Sequence, residues 1–261
     1  MSVTWWLYYK TIVFFKGTAA VGILFLFSIT IGLLGGERQW MAMGVFFYGL
    51  TFLVQGKTRY YVLAVVAASL FHVSALITLP LVLMKRRMSY WCWGSVMIII
   101  LISPCLIDHF ITILMRYREV AGPVYASKIK YYLETNQHYQ TNFLNLAGGI
   151  LRRLLPIAVL WYNKPMRTWP GWQLLLNISF ASLLLYLFCV LNFEFLLGRL
   201  TIYYSLSDAI IFSWLASVYN GHAKAKWIMA GLAVWAVTIF IKSIMPYPEL
   251  FIPYKTFFGT F

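Results

Sequence analysis

Acidic residues are scarce in this chain. Seven Asp and Glu stand among 261 residues, against 21 Lys and Arg, and charged residues of both signs reach only 11%. An ordinary soluble domain carries about 25%. With 62% of residues hydrophobic, a core of this length cannot hide the apolar surface, so a soluble globular domain is excluded and a bilayer becomes the solvent. Cysteine is rare as well. Cys92, Cys105 and Cys189 stand alone in apolar stretches with no CxxC pair, and they read as packing residues. No two of the four histidines have a metal-site spacing, so no metal is expected, and no cofactor is implied. A cleavable signal is also missing, because the apolar run after Lys16 is too long for one and lacks a cleavage site. There is no internal repeat, low-complexity tract or second domain. Residues 1–261 read as a single transmembrane domain.

What is abundant agrees with that reading. Aromatics make up 19% of the chain, with 11 Trp and 18 Tyr, residues that favour bilayer interfaces. A membrane helix needs about 20 mostly apolar residues, and seven segments qualify: 17–35, 40–55, 91–115, 143–163, 172–193, 200–219 and 227–245. The fold class is therefore all-α: a polytopic integral membrane protein with about seven membrane-spanning helices. An eighth apolar stretch, 61–84, lies between the second and third.

Charge sets the expected orientation. Five clusters (Lys10 and Lys16; Lys57 and Arg59; Lys85, Arg86 and Arg87; Lys164 and Arg167; Lys224 and Lys226) hold eleven basic residues and no acid. Basic loops stay in the cytoplasm. Placing all five there works by simple alternation except across 61–84, which begins and ends at a basic cluster. That stretch is expected to enter and return on one side as a re-entrant pair of half-helices. Its middle holds Ser69, His72 and Ser74, with Pro80 beyond, and polar backbone at this depth suits a protein-lined cavity. The alternative is a single span with a buried, hydrogen-bonded His72. In the re-entrant arrangement the outer face receives Glu37-Arg38-Gln39, the outer loop 116–141, the turn 192–199 and the tail after Pro246. A net charge of +14 would suggest nucleic acid in a soluble protein. Here no ordered basic domain exists to carry it, and none is expected as a partner.

Ionisable groups at membrane depth are expensive and mark function. Arg152 and Arg153 precede an apolar run, 154–162, that covers only about 14 Å as helix, so both lie well inside the outer half of the bilayer. Gly148 and Gly149 before them permit a break or a close helix approach. Paired guanidinium forks suit phosphate or diphosphate; the alternative is snorkelling to the interface. Arg38 opens the second span, where Glu37 can neutralise it. Arg199 and Tyr203, four residues apart, share a helix face that can meet a substrate, with Tyr204 adjacent. Asp208 points roughly the opposite way from Arg199, and is a base in its own right or a structural acid bonded to Ser205 or another helix. His72 is a satisfied core residue or a general base for an acceptor hydroxyl. In the outer loop, Lys128 and Tyr132 belong to an alternating basic and aromatic run that either stacks on sugars or forms an amphipathic interfacial helix.

Taken in order, Glu37-Arg38-Gln39, the apolar span after it, Phe71-His72-Val73-Ser74, and Gly198-Arg199 with Tyr203-Tyr204 resemble the EpsG family of bacterial membrane proteins. The likeness runs from about residue 17 to residue 220. That family is similar to the Wzy-type polymerases of exopolysaccharide, capsule and O-antigen. The resemblance implies a GT-C-like, lipid-dependent glycosyltransferase that uses undecaprenyl-diphosphate-linked oligosaccharide as donor and acceptor. It would work at the outer face of the bacterial inner membrane, among membrane lipids, with flippase and chain-length regulator proteins as partners. Arg38, His72 and Arg199 match its motif positions; Arg152 and Arg153 come from membrane depth alone. Family members begin with further helices and an outward segment carrying Gly-x-Asp and a Tyr, so this chain is expected to be N-terminally shortened. Arginines would hold the donor diphosphate, and His72 or Asp208 would deprotonate the acceptor. A lipid-linked glycan transporter (flippase) would share the arginine-lined cavity but need access from both faces. A membrane acyltransferase would use His72 as base and need an acyl-donor route from the cytoplasm. The outer location of the arginines favours the polymerase.

Overall fold

The structure, a computed structural model, describes residues 2–31, 36–117, 143–169, 171–192, 197–245, 255–256 and 259–260. Lys128 and Tyr132 lie outside these residues. The described chain forms α1 (Ser2–Phe14), α2 (Ala19–Thr30), α3 (Glu37–Val54), α4 (Thr58–Phe71), a 3-10 arm (Val73–Lys85), α5 (Tyr90–Tyr117) and α6 (Phe143–Tyr162). A short 3-10 turn (Lys164–Thr168) leads into α7 (Trp172–Asn192), α8 (Leu197–Ser205), α9 (Ser207–Val218) and α10 (Ala225–Ile244). Near the C-terminus, Lys255–Thr256 pairs antiparallel with Gly259–Thr260.

The stretch expected to double back does so. At Gly56, φ is +79°, a left-handed conformation that glycine adopts without a Cβ penalty, and it turns the chain from α3 into α4. α4 ends at Phe71, and His72 takes extended angles (φ −154°, ψ 117°) as the elbow. The return arm is a 3-10 helix of 13 residues, long for a geometry normally used in pieces of 3–4. Its buried residues are Ala75, Thr78 and Leu81, spaced by three as 3.0 residues per turn requires. At about 2.0 Å per residue this arm spans about 26 Å, against about 21 Å for the 14 residues of α4. The two arms are laced together. The Tyr61 hydroxyl donates to the Thr78 carbonyl at 2.7 Å, and Lys85 Nζ donates to Thr58 Oγ1 at 3.0 Å.

The other expected segments are partly redrawn. Segment 200–219 divides at Leu206 into α8 and α9, with Leu206 N–H still bonded to the Ile202 carbonyl at 3.1 Å. Segment 17–35 contributes the 12-residue α2, and α1 is a helix that the count of spans did not include. Among the described residues, Trp172–Asn192 and Ala225–Ile244 are long and apolar enough to cross a membrane. α3 and α7 show why length alone does not decide: α3 has 18 residues but opens on Glu37, Arg38 and Gln39, whereas α7 has 21 with no charge. α7 is the central helix, 67% buried over its most apolar window, and α10 is peripheral at 22%.

Aromatic side chains fill the core. Tyr8, Phe25, Phe46, Phe47, Tyr61, Tyr203 and Phe212 are fully buried or nearly so, with Phe25 on Phe212 at 4.6 Å and Phe46 edge-on to Tyr203 at 5.7 Å. The exterior is apolar as well: Leu70, Leu83, Trp91 and Trp227 are 83%, 80%, 88% and 73% exposed. An apolar core inside an apolar coat is what a bilayer-solvated bundle requires. Cys189 is buried, whereas Cys92 and Cys105 are exposed and not packing residues of the core.

Candidate functional site

The elbow at His72 is where sequence candidates from three parts of the chain meet. α8 packs against the 3-10 arm, α7 and the start of α3, and Gln39, 5% exposed, fastens it by donating from Nε2 to the Arg199 carbonyl at 2.9 Å. Adjacent Arg38 is thereby held at the same end as Arg199, with its own side chain exposed. Tyr203 faces the elbow from one turn further along α8. Ser74 Oγ donates to the Tyr203 hydroxyl at 3.1 Å, and His72 Nδ1 lies 2.5 Å from Ser74 Oγ. A hydroxyl has one proton. With that proton on Tyr203, the network assigns the hydrogen of His72 to Nδ1 and leaves Nε2 as an acceptor. Arg199 is close enough to act electrostatically on the His72 ring, and neither Arg199 nor Arg38 has an acid partner among the described residues.

Tyr204 has a different task. Its hydroxyl donates to the Ile77 carbonyl at 2.7 Å, so it clamps the 3-10 arm to α8. Tyr203 and Tyr204, neighbours in sequence, hold two successive turns of that arm.

The remaining candidates form a second cluster. Arg153 is 6% exposed; its Nη1 donates to the Gly149 carbonyl at 3.0 Å, and its guanidinium lies 4.0 Å over the Tyr186 ring, a cation–π stack. The Nε atoms of both Arg152 and Arg153 are buried without a hydrogen-bond partner. Both arginines interact electrostatically with Asp208, which is 4% exposed. Asp208 is therefore not bonded to Ser205, whose hydroxyl donates to the Thr201 carbonyl instead; the acid faces α6. Snorkelling does not describe Arg153, which stays inside the bundle. Gly149 makes the packing possible: a Cβ there would lie 2.0 Å from the Tyr186 hydroxyl. The close approach anticipated at the glycine pair thus belongs to Gly149.

Two contributors were missed by the sequence reading. Lys242 on α10 places Nζ 3.5 Å from the Asn145 carbonyl and interacts with Arg152 and Arg153; a lone lysine near the end of an apolar helix is the signal that was there to be read. Tyr186 sits inside the uncharged run of α7, where nothing in the sequence sets it apart. Among the described residues, no three His, Cys, Asp or Glu side chains converge as a metal site would need.

A helical, apolar-coated bundle with a histidine elbow and two sets of arginines has the composition and core of a membrane protein. The chain belongs to the EpsG family, whose model matches residues 1–256. It is thereby one of the polymerase-like membrane proteins of polysaccharide biosynthesis. No curated protein and no solved structure matches it significantly.

Proposed function

We propose that the protein polymerises polysaccharide repeat units, transferring a glycan from an undecaprenyl-diphosphate donor to a lipid-linked acceptor. It does so at the outer face of the bacterial inner membrane, where it is multi-pass, with about seven spans and the 58–85 hairpin inserted from the cytoplasmic side. The observation that carries this reading is the linked series His72, Ser74 and Tyr203 beside Arg199. His72 Nε2 accepts the proton of the acceptor hydroxyl as its oxygen attacks the anomeric carbon. The new C–O bond forms as the bond from that carbon to the diphosphate breaks, and the electron pair leaves with the diphosphate. Arg199 and Arg38 stabilise the growing negative charge, an electrostatic role suited to guanidinium forks. Arg152 and Arg153, with Asp208 and Lys242, form a second basic region that the lipid-linked substrates meet. Flippase and chain-length regulator proteins are the expected partners in export.

The test is a His72→Gln variant in cells that make the polymer, read on a gel of lipid-linked saccharides with protein level checked in the same membranes. Single lipid-linked units should accumulate on the outer face while polymer disappears. Accumulation on the cytoplasmic face would indicate a transporter, and full-length polymer lacking an acyl group would indicate an acyltransferase. Normal polymer at normal abundance would remove His72 from the chemistry.

A further inference from the structure

A cavity of about 310 Å³ opens at the opposite end of the bundle from the His72 elbow, where Lys85 meets Thr58. Its rim carries Arg87, from the connection after the 3-10 arm, and Arg167, from the short turn between α6 and α7. Neither has an acid partner among the described residues. From the rim the lining follows one face of α7 inward, from Trp172 through Leu176 to Phe180, about 12 Å of helix. Trp93, also in the lining, stacks on Phe180 at 5.6 Å. The lining combines two guanidinium groups with aromatic and aliphatic side chains and the amides of Gln173 and Asn177.

Both sides of the mouth are held in place. Asn177, 1% exposed, donates to the carbonyls of Met84 at 2.6 Å and Arg86 at 2.9 Å, which pins the segment bearing Arg87 against α7. On the other side, Arg167 donates to the Trp161 carbonyl, and Trp172 Nε1 donates to the Leu160 carbonyl at 2.9 Å. The site is therefore formed before any ligand arrives. A free anion would use only the rim. A molecule with an anionic head and an apolar body would use the rim, the tryptophans and the floor together, and basic pockets between helices at the cytoplasmic side take such lipid headgroups. Tryptophan at the mouth also marks the depth of the headgroup layer.

We infer that this cavity binds the phosphate headgroup and first acyl carbons of an anionic membrane phospholipid. The site is separate from the His72 elbow and does not depend on the polymerase reading. The experiment uses the full-length protein in vesicles of phosphatidylcholine with a minority of phosphatidylglycerol, extracted into detergent and progressively stripped, with bound lipid counted by native mass spectrometry. The wild type should keep one phosphatidylglycerol after phosphatidylcholine is gone. Arg87→Gln with Arg167→Gln should weaken that retention about tenfold or more. Arg87→Gln alone carries the test if the double variant is not recovered folded, because the Arg87 side chain makes no described hydrogen bond. Equal retention of the two lipids, unchanged retention in the variants, or displacement of the lipid by inorganic phosphate would each overturn the inference.

Discussion

Lys85 Nζ donates to Thr58 Oγ1 at 3.0 Å, so the last residue of the 3-10 arm lies against the first residue of α4. This bond puts the basic clusters at Lys57 and Lys85 at one end of the molecule, and the hairpin reading expects that end to face the cytoplasm. Single cysteines at positions 57, 85 and 224, introduced after replacing the exposed Cys92 and Cys105, should all resist an impermeant thiol reagent applied from outside. Labelling at 85 but not at 57 would show a full crossing and rule out the hairpin in the membrane.

Ser74 links His72 to Tyr203, and the link sets which ring nitrogen of His72 is open. Ser74→Ala should lower polymer formation about tenfold or more while leaving protein abundance unchanged, since an orienting hydrogen bond is lost and little packing changes. Tyr203→Phe keeps the ring against Phe46 and should have a smaller effect in the same direction. Full activity in both variants would leave the hydroxyl link without a role.

Arg199→Lys preserves the charge and removes the planar fork that a diphosphate engages through two parallel bonds. Polymer should fall sharply with the protein still inserted, because the Gln39 bond is to the Arg199 main-chain carbonyl and survives the change. Wild-type polymer length and amount would mean that only charge matters at this position.

Asp208 is the acid facing Arg152 and Arg153. Asp208→Asn should lower the thermal stability of the purified protein by about 1–3 kcal/mol, as buried positive charge loses its counter-charge. Adding Arg153→Gln should recover part of that loss, a coupling of about 0.5–3 kcal/mol between neighbours. Unfolding midpoints for the two single variants and the double variant measure it. If polymer stays absent when stability returns, Asp208 or Arg153 acts on substrate as well.

Gly149→Ala puts a methyl group 2.0 Å from the Tyr186 hydroxyl, on a ring that cannot easily move because Arg153 stacks on it. The expected cost is about 1–3 kcal/mol of stability. Gly148→Ala meets only Lys242 Nζ at 3.2 Å, the tip of a flexible chain, and should be close to neutral. Equal midpoints for the two variants would contradict this packing.

Composition and charge placement alone anticipate that the chain is helical and apolar-coated, and that 61–84 doubles back so that its two basic ends meet. Both follow from the cost of putting polar groups in hydrocarbon, which acts residue by residue and leaves its mark in the order of residues. That Arg199 and Tyr203 lie one turn apart on a single helix was also legible, since helical spacing states which residues share a face. Spacing cannot state what that face meets. Asp208 was read as pointing away from Arg199 along one helix, but the segment divides at Leu206, and only the packing of α9 against α6 gave it Arg152 and Arg153 as neighbours. The 3-10 form of the return arm was likewise a tertiary decision: Tyr61 and Tyr204 each take a carbonyl from it, and a three-residue repeat of small and apolar residues then faces the bundle. The cavity between Arg87 and Arg167 needed the same step. Eighty residues of chain separate those arginines, and the hydrogen bonds of one buried asparagine, Asn177, hold the segment bearing one of them against the helix that lines the cavity.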